Sequence, residues 1–207
     1  MIKILGIVGS PRTNGNTHLL IEIALKAAKD VGAETQMIEL GDLKINTCAH
    51  GGECYELGSC VQEDGLNSIA KAMSEADGII FGSPAYQGAV PGIMKNMLDR
   101  TGRFVKLRGK VGGALVAGRR AGMDLCVTEL MFFMYVKEMI IPGSPHWPVG
   151  FALHVGDVHG DTEAMKAAEE TGIRVAELAK TISANPQTWM KEDSHTDFRP
   201  AFGDDWR

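Results

Sequence analysis

Apolar positions along the chain follow two alternating patterns, short β-branched runs and longer stretches with helical spacing. Residues 2–8 form the first run, which is typical of a strand buried on both faces of a parallel sheet. From Thr17 onward the apolar residues recur at helical spacing, with charged residues between them, and this predicts an amphipathic helix that ends near Gly32.

The same alternation continues to residue 183 and predicts five strands and five helices. Strands are predicted at 2–8, 34–40, 78–82, 110–117 and 139–141, and helices at 17–31, 66–75, 91–101, 123–138 and 162–183. Such an order forms an α/β fold, a doubly wound five-stranded parallel sheet with helices on both faces. We expect one domain over residues 1–184, with a long loop at 41–65, and a tail at 185–207 that packs on the domain or on a neighbouring subunit.

Composition narrows the class of protein. The chain has 207 residues, of which 44% are hydrophobic and 23% charged, as in ordinary globular proteins. Its net charge of −5 argues against nucleic acid or an anionic membrane as partner. No apolar run approaches the roughly 20 residues of a membrane span, and the N-terminal run lacks the basic residues of a secretory signal. A cytoplasmic location is therefore expected.

The turn after the first strand has the composition of a phosphate site. Residues 9–17 read GSPRTNGNT and lead directly into the first helix. Backbone N–H groups and the positive end of a helix favour an anion there. Ser10, Asn16 and Thr17 add polar groups, and Arg12 adds charge and a planar fork. An ordinary polar turn capped by Asn or Thr is the alternative.

The pattern G-S-x-R-x-x-G-N-T resembles the FMN phosphate loop of the NADPH-dependent FMN reductase and iron–sulfur flavoprotein group, whose members have a flavodoxin-like fold. The resemblance extends over residues 3–184. Arg12 favours the reductases over simple electron carriers, since classical flavodoxins lack an arginine in this loop. The resemblance implies that the FMN phosphate is held by Ser10, Arg12, Asn14, Asn16 and Thr17.

Two further loops carry the same resemblance. Residues 83–88 read SPAYQG and, with KNMLDR at 95–100, are similar to the family segment beside the isoalloxazine ring. The resemblance places these residues along the ring: Pro84, Ala85, Tyr86, Gln87, Gly88, Gly118, Arg119 and Gly122.

Some charged residues near these loops have two interpretations. Arg119 and Arg120 depart from the family pattern. They either hold charge near the flavin or the phosphates of a nicotinamide cofactor, or form a solvated pair. For Lys95, Asp99 and Arg100, a surface ion pair explains the spacing at least as well as catalysis does.

Three of the four cysteines lie close together in one loop, and the fourth lies far from them in the sequence. Cys48, Cys54 and Cys60 lie in the 41–65 loop, whereas Cys126 lies on an apolar helix and is expected to pack as a small hydrophobe. Iron–sulfur flavoproteins carry C-x2-C-x2-C and a further cysteine in this loop. This sequence resembles that motif at three positions, but Gly51 stands where the second ligand is expected.

Four interpretations of the three cysteines remain open from the sequence. They could ligate an altered cluster with an open iron, with His50 or Glu53 as conceivable substitute ligands, or bind zinc together with His50. They could instead be redox-active thiols that exchange electrons with a flavin, or a remnant that keeps the loop's shape without metal. The segment 154–161, with two His and two Asp, is interpreted as a capped loop rather than a metal site.

The sequence thus predicts an FMN-dependent oxidoreductase. It would pass electrons from NAD(P)H, or from a ferredoxin-type donor, to a small-molecule acceptor such as flavin or a quinone. The alternative is an electron-transfer protein without a substrate of its own. No catalytic side chain is nominated, because hydride transfer to a flavin demands none. The apolar residues 130–136 and the family resemblance predict a homodimer or homotetramer.

Overall fold

The sheet is fully parallel and has the order β2-β1-β3-β4-β5. This computed structural model describes residues 1–185. The expectation for the tail lies almost wholly outside that range. The strands are β1 Lys3–Val8, β2 Glu34–Glu39, β3 Gly78–Pro84, β4 Val111–Gly118 and β5 Val149–Phe151. The chain runs from β1 to β2 on one side and then to β3 on the other side of β1, so the strand order reverses there. Ligands of such sheets bind at this switch point, at the carboxyl ends of β1 and β3. The flavodoxin-like prediction is confirmed.

Residues 1–185 contain six helices: α1 Asn16–Asp30, α2 Cys54–Leu57, α3 Leu66–Glu75, α4 Gly92–Thr101, α5 Met123–Val136 and α6 Thr162–Ala184. The five longer ones cover the two faces of the sheet, and α2 lies in the 41–65 loop. Because side chains alternate along a strand, Ile4 and Val8 join the core under α1 and α6. Leu5 and Ile7 join the core under α3, α4 and α5. Asp161 caps α6 as predicted, accepting a hydrogen bond from the Ala164 N–H at 3.0 Å.

The predicted fifth strand at 139–141 is wrong. In that stretch Ile140 makes only an isolated bridge to Val111, and the strand beside β4 is β5. Three prolines follow between residues 142 and 148, and they supply no N–H for a ladder. The chain therefore rejoins the sheet later, for three residues only, opposite Val116–Gly118. A strand this short leaves almost no periodicity to detect.

The 41–65 loop is not wholly irregular. A single turn of 3-10 helix covers Leu40–Asp42 and the four-residue helix α2 lies in its middle. Within residues 1–185, no helix has the length and apolarity needed to cross a bilayer.

Candidate functional site

Three loops meet at the carboxyl edge of the sheet, and they contain every predicted flavin contact. They are residues 9–17 after β1, 84–91 starting at the last residue of β3, and 118–122 starting at the last residue of β4. The Gly9 N–H donates to the Gly82 carbonyl at 2.7 Å, and the Ala85 N–H donates to the Ala117 carbonyl at 2.9 Å. These bonds hold together the points at which the loops leave their strands. A small cleft lined by Lys3 lies elsewhere, at the amino end of β1.

The 9–17 turn leaves donors free at the start of α1. Gly15 is the N-cap and supplies no side-chain hydrogen bond, so within residues 1–185 no side chain caps the first N–H groups of this 15-residue helix. The hydroxyl residues Ser10 and Thr17 are buried at the turn, and Arg12 is exposed. The Ser10 hydroxyl accepts from the Arg12 N–H at 3.0 Å, which shapes the turn. Free N–H donors beside a cation fit a phosphate group.

The side chain of Asn16 is engaged with the chain itself. Its Nδ2 donates to the His154 carbonyl at 2.8 Å, and its Oδ1 accepts from the Gly156 N–H at 3.0 Å. Asn16 therefore ties the segment after β5 to the start of α1 and offers a phosphate its backbone N–H. The sequence did not reveal this role, because the partners lie about 140 residues apart.

The second loop is a tight turn pressed against the third. Tyr86 and Ala89 exchange backbone hydrogen bonds of 2.9 and 3.1 Å. The two residues between them, Gln87 and Gly88, have φ of 55° and 78°, as in a type I′ turn. A Cβ on Gly122, where φ is 84°, would stand 2.6 Å from the Gly88 Cα. Only glycine allows the two backbones to approach this closely.

Groups suited to a flat, polar-edged ring surround this contact. Tyr86 exposes 41% of its surface, and Arg119 and Arg120 are also exposed. Pro84 and Ala85 continue β3 towards the loop, and a Cβ on Gly118 would stand 3.3 Å from the Ala85 Cβ. Asn14 has a positive φ of 53° in the first turn. The structure thus gathers all thirteen predicted residues on three neighbouring loops, and the site fits FMN.

The charged residues of α4 serve two different purposes. Lys95 and Asp99 form the surface ion pair that their spacing predicts. Arg100 is instead 2% exposed, and its guanidinium makes a two-pronged pair with Asp64 of the cysteine loop, with Nη2 3.2 Å from Oδ1. Burial alone would raise the pKa of Asp64. Hydrogen bonds from Arg100, Asn46 and Leu66 outweigh burial and hold that pKa below its ordinary value.

All four cysteines are free thiols. Cys126 is fully buried in the core, as predicted, and burial raises the pKa of its thiol to about 11. Cys48, Cys54 and Cys60 are partly exposed. Among residues 1–185, no group of three or more His, Cys, Asp or Glu side chains is placed so as to hold a metal ion.

Fold and loops together define a flavodoxin-like flavoprotein. The family model for NADPH-dependent FMN reductases matches residues 2–154. The chain therefore belongs to the NADPH-dependent FMN reductase family, and its chemistry is flavin-dependent oxidation–reduction or electron transfer.

Individual relatives agree with this family. An iron–sulfur flavoprotein of Methanocaldococcus jannaschii is 37% identical over 191 residues, which cover 87% of this chain and 99% of the relative. RosB, solved with a bound 8-demethyl-8-formylriboflavin-5′-phosphate intermediate, superposes with a TM-score of 0.72 at 16% identity, covering 90% of this chain and 82% of RosB. A WrbA-like flavodoxin from Agrobacterium tumefaciens gives a TM-score of 0.59 at 18% identity, with coverage of 87% and 99%. The two solved structures support the fold alone.

Proposed function

We propose that the chain is an NAD(P)H-dependent FMN oxidoreductase whose flavin lies across the three loops at the carboxyl edge of β1, β3 and β4. The observation that carries this proposal is the backbone contact between Gly88 and Gly122, which joins two loops beside the uncapped start of α1. The phosphate would lie at α1, held by N–H groups, Ser10, Thr17 and Arg12. The ring would lie along the 84–88 turn.

Bound FMN supplies hydride and single-electron chemistry, and the protein's task is to hold and orient it. Tyr86 is exposed enough to cover part of a ring face. Arg119 and Arg120 offer positive charge beside the ring or for the phosphates of a nicotinamide donor. Four free cysteines accord with a reducing, cytoplasmic location.

Arg12→Ala should weaken FMN binding by about 10- to 100-fold, because it removes a charge-assisted bond to the phosphate. Lys29→Ala, an exposed cation at the other end of α1, is the matched control and should leave the affinity unchanged. Fluorescence titration of the apoprotein with FMN measures both. Unchanged affinity in Arg12→Ala would place the phosphate elsewhere.

Steady-state oxidation of NAD(P)H distinguishes an oxidoreductase from an electron-transfer protein without its own substrate. We expect the FMN-loaded protein to oxidise NADH or NADPH steadily when a quinone or free flavin is supplied. An electron-transfer protein without its own substrate is the second candidate, favoured by the likeness to an iron–sulfur flavoprotein. It would be reduced rapidly by ferredoxin and show no such turnover, and that result would reject the enzyme.

We also propose that the chain self-associates through the outer face of α5. Leu130 and Met134 of this helix are buried, whereas Leu125, Phe132 and Tyr135 are exposed. An exposed apolar stripe of this kind marks an interaction surface. Sedimentation velocity should show a dimer or tetramer that Phe132→Lys shifts towards monomer. A wild-type monomer at all concentrations would contradict the proposal.

A further inference from the structure

Two sulfurs of the cysteine loop accept hydrogen bonds from the protein, and the third lies beside an arginine. The Cys60 Sγ accepts from Arg100 Nη2 at 2.9 Å, and the Cys48 Sγ accepts from the His50 N–H at 3.4 Å. Arg103 lies beside Cys54, and its interaction with that side chain is the main reason why the pKa of Arg103 is raised. The three thiols thus have three different neighbours: Arg100, the backbone of His50 and Arg103.

The place of the missing fourth thiol is filled by another side chain. A Cβ on Gly51 would stand 2.2 Å from the Glu53 Oε2 and 2.9 Å from its Oε1. The Glu53 carboxylate therefore occupies the volume into which a ligand at position 51 would extend. A four-iron cluster is normally held by four cysteine thiolates, and this loop presents three that do not converge. The residues present do not fit a cluster.

A network of side chains closes the loop instead. The two oxygens of Asp64 accept from the Asn46 N–H at 3.0 Å and from the Leu66 N–H at 3.1 Å. Asn67 and Cys60 exchange hydrogen bonds of 2.9 and 2.8 Å. These bonds join the start of the loop to its end.

The network also attaches the loop to α4. Arg100 donates to the Asn46 carbonyl at 3.0 Å, and Asn96 donates to the Ile45 carbonyl at 3.1 Å. The Arg103 guanidinium lies 4.6 Å from the centre of the Tyr55 ring, which holds α2 in place. Protein contacts thus close the loop on itself and attach it to α4.

We infer that the cysteine loop of this chain is closed by the Asp64–Arg100 network and binds neither an iron–sulfur cluster nor zinc. With the proposed function, flavin is then the redox cofactor that the described residues 1–185 hold, which sets the chain apart from relatives that are named iron–sulfur flavoproteins. The inference does not depend on where FMN binds. An assay of metal content gives the same answer whether or not the proposed flavin site is correct.

The test is anaerobic purification of the full chain, followed by incubation with iron and sulfide. The M. jannaschii iron–sulfur flavoprotein is treated in parallel to show that reconstitution works. We expect less than about one iron or zinc per chain, against about four irons for a complete cluster, and no cluster signal by electron paramagnetic resonance after dithionite reduction. One or more metal ions per chain bound stably by the wild type would overturn the inference.

Hydrogen exchange provides a second readout that needs no variant. The amides of Asn46 and Leu66, which donate to Asp64, should be equally protected before and after treatment with a metal chelator. Loss of that protection on chelation would show that a metal, rather than the network, closes the loop.

Discussion

Asp64→Asn is expected to lower the free energy of unfolding by about 3–5 kcal/mol, because it leaves the Arg100 guanidinium buried without its counter-ion. The side chains of the pair are 1% and 2% exposed, so water cannot replace the lost carboxylate. The amide is close in shape to the carboxylate, so the effect reports charge rather than volume. Denaturation by urea measures the change.

The matched control is Asp99→Asn on α4. Asp99 pairs with Lys95, but its side chain is 49% exposed, so its loss should cost no more than about 0.5 kcal/mol. An equal, small effect of both substitutions would show that the buried pair does not hold the loop.

The effect of Asp64→Asn should also depend on pH. The folded protein holds the pKa of Asp64 below its ordinary value of 3.8. The carboxylate therefore contributes its full stabilisation above that value and loses it as the pH falls through the lower, folded-state pKa. The difference between wild type and Asp64→Asn should be largest near neutral pH, begin to shrink only below about pH 4, and vanish as the pH falls through the folded-state pKa of Asp64. A pH-independent difference would contradict this origin of the effect.

Gly122→Ala should destabilise the protein by about 2–4 kcal/mol and weaken FMN binding by about tenfold or more. The φ of 84° is unfavourable for alanine. The alanine Cβ would also stand 2.6 Å from the Gly88 Cα, and this clash can be relieved only by moving backbone. The second and third loops must then separate, which disturbs the proposed ring site. Thermal unfolding and FMN titration measure the two effects.

Gly92→Ala serves as the comparison for Gly122→Ala. Gly92 begins α4, has an ordinary φ, and a Cβ there would meet no atom within 4 Å. Neither stability nor FMN affinity should fall. If Gly122→Ala binds FMN as tightly as Gly92→Ala does, the contact between the loops is not part of the flavin site.

Hydrophobic periodicity was sufficient to predict most of the sheet. Strands β1 to β4 and the five long helices are regular enough that their patterns gave bounds within a few residues. The position of β5 cannot be predicted from its own pattern, because the strand has three residues and its position depends on pairing with the end of β4. Pairing between distant segments leaves no local signal.

For the candidate site, too, local features could be predicted from the sequence and contacts between distant residues could not. Glycines, hydroxyls and Arg12 identify the turn after β1 because a phosphate site depends on local backbone conformation. The roles of Asn16 and Arg100 depend on partners far away in sequence. The composition of the 9–17 turn indicated a phosphate contact for Asn16, and the spacing on α4 indicated a surface ion pair for Arg100. Arg100 in particular follows an exposed Lys95–Asp99 pair, yet lies on the inner face of α4.

Hydrogen exchange with and without FMN tests most directly whether flavin binds across the three loops. Saturating FMN should slow exchange in residues 9–17, 84–91 and 118–122 and leave exchange in the cleft around Lys3 and Glu34 unchanged. Protection confined to other parts of the chain, with these three loops unaffected, would contradict this binding site.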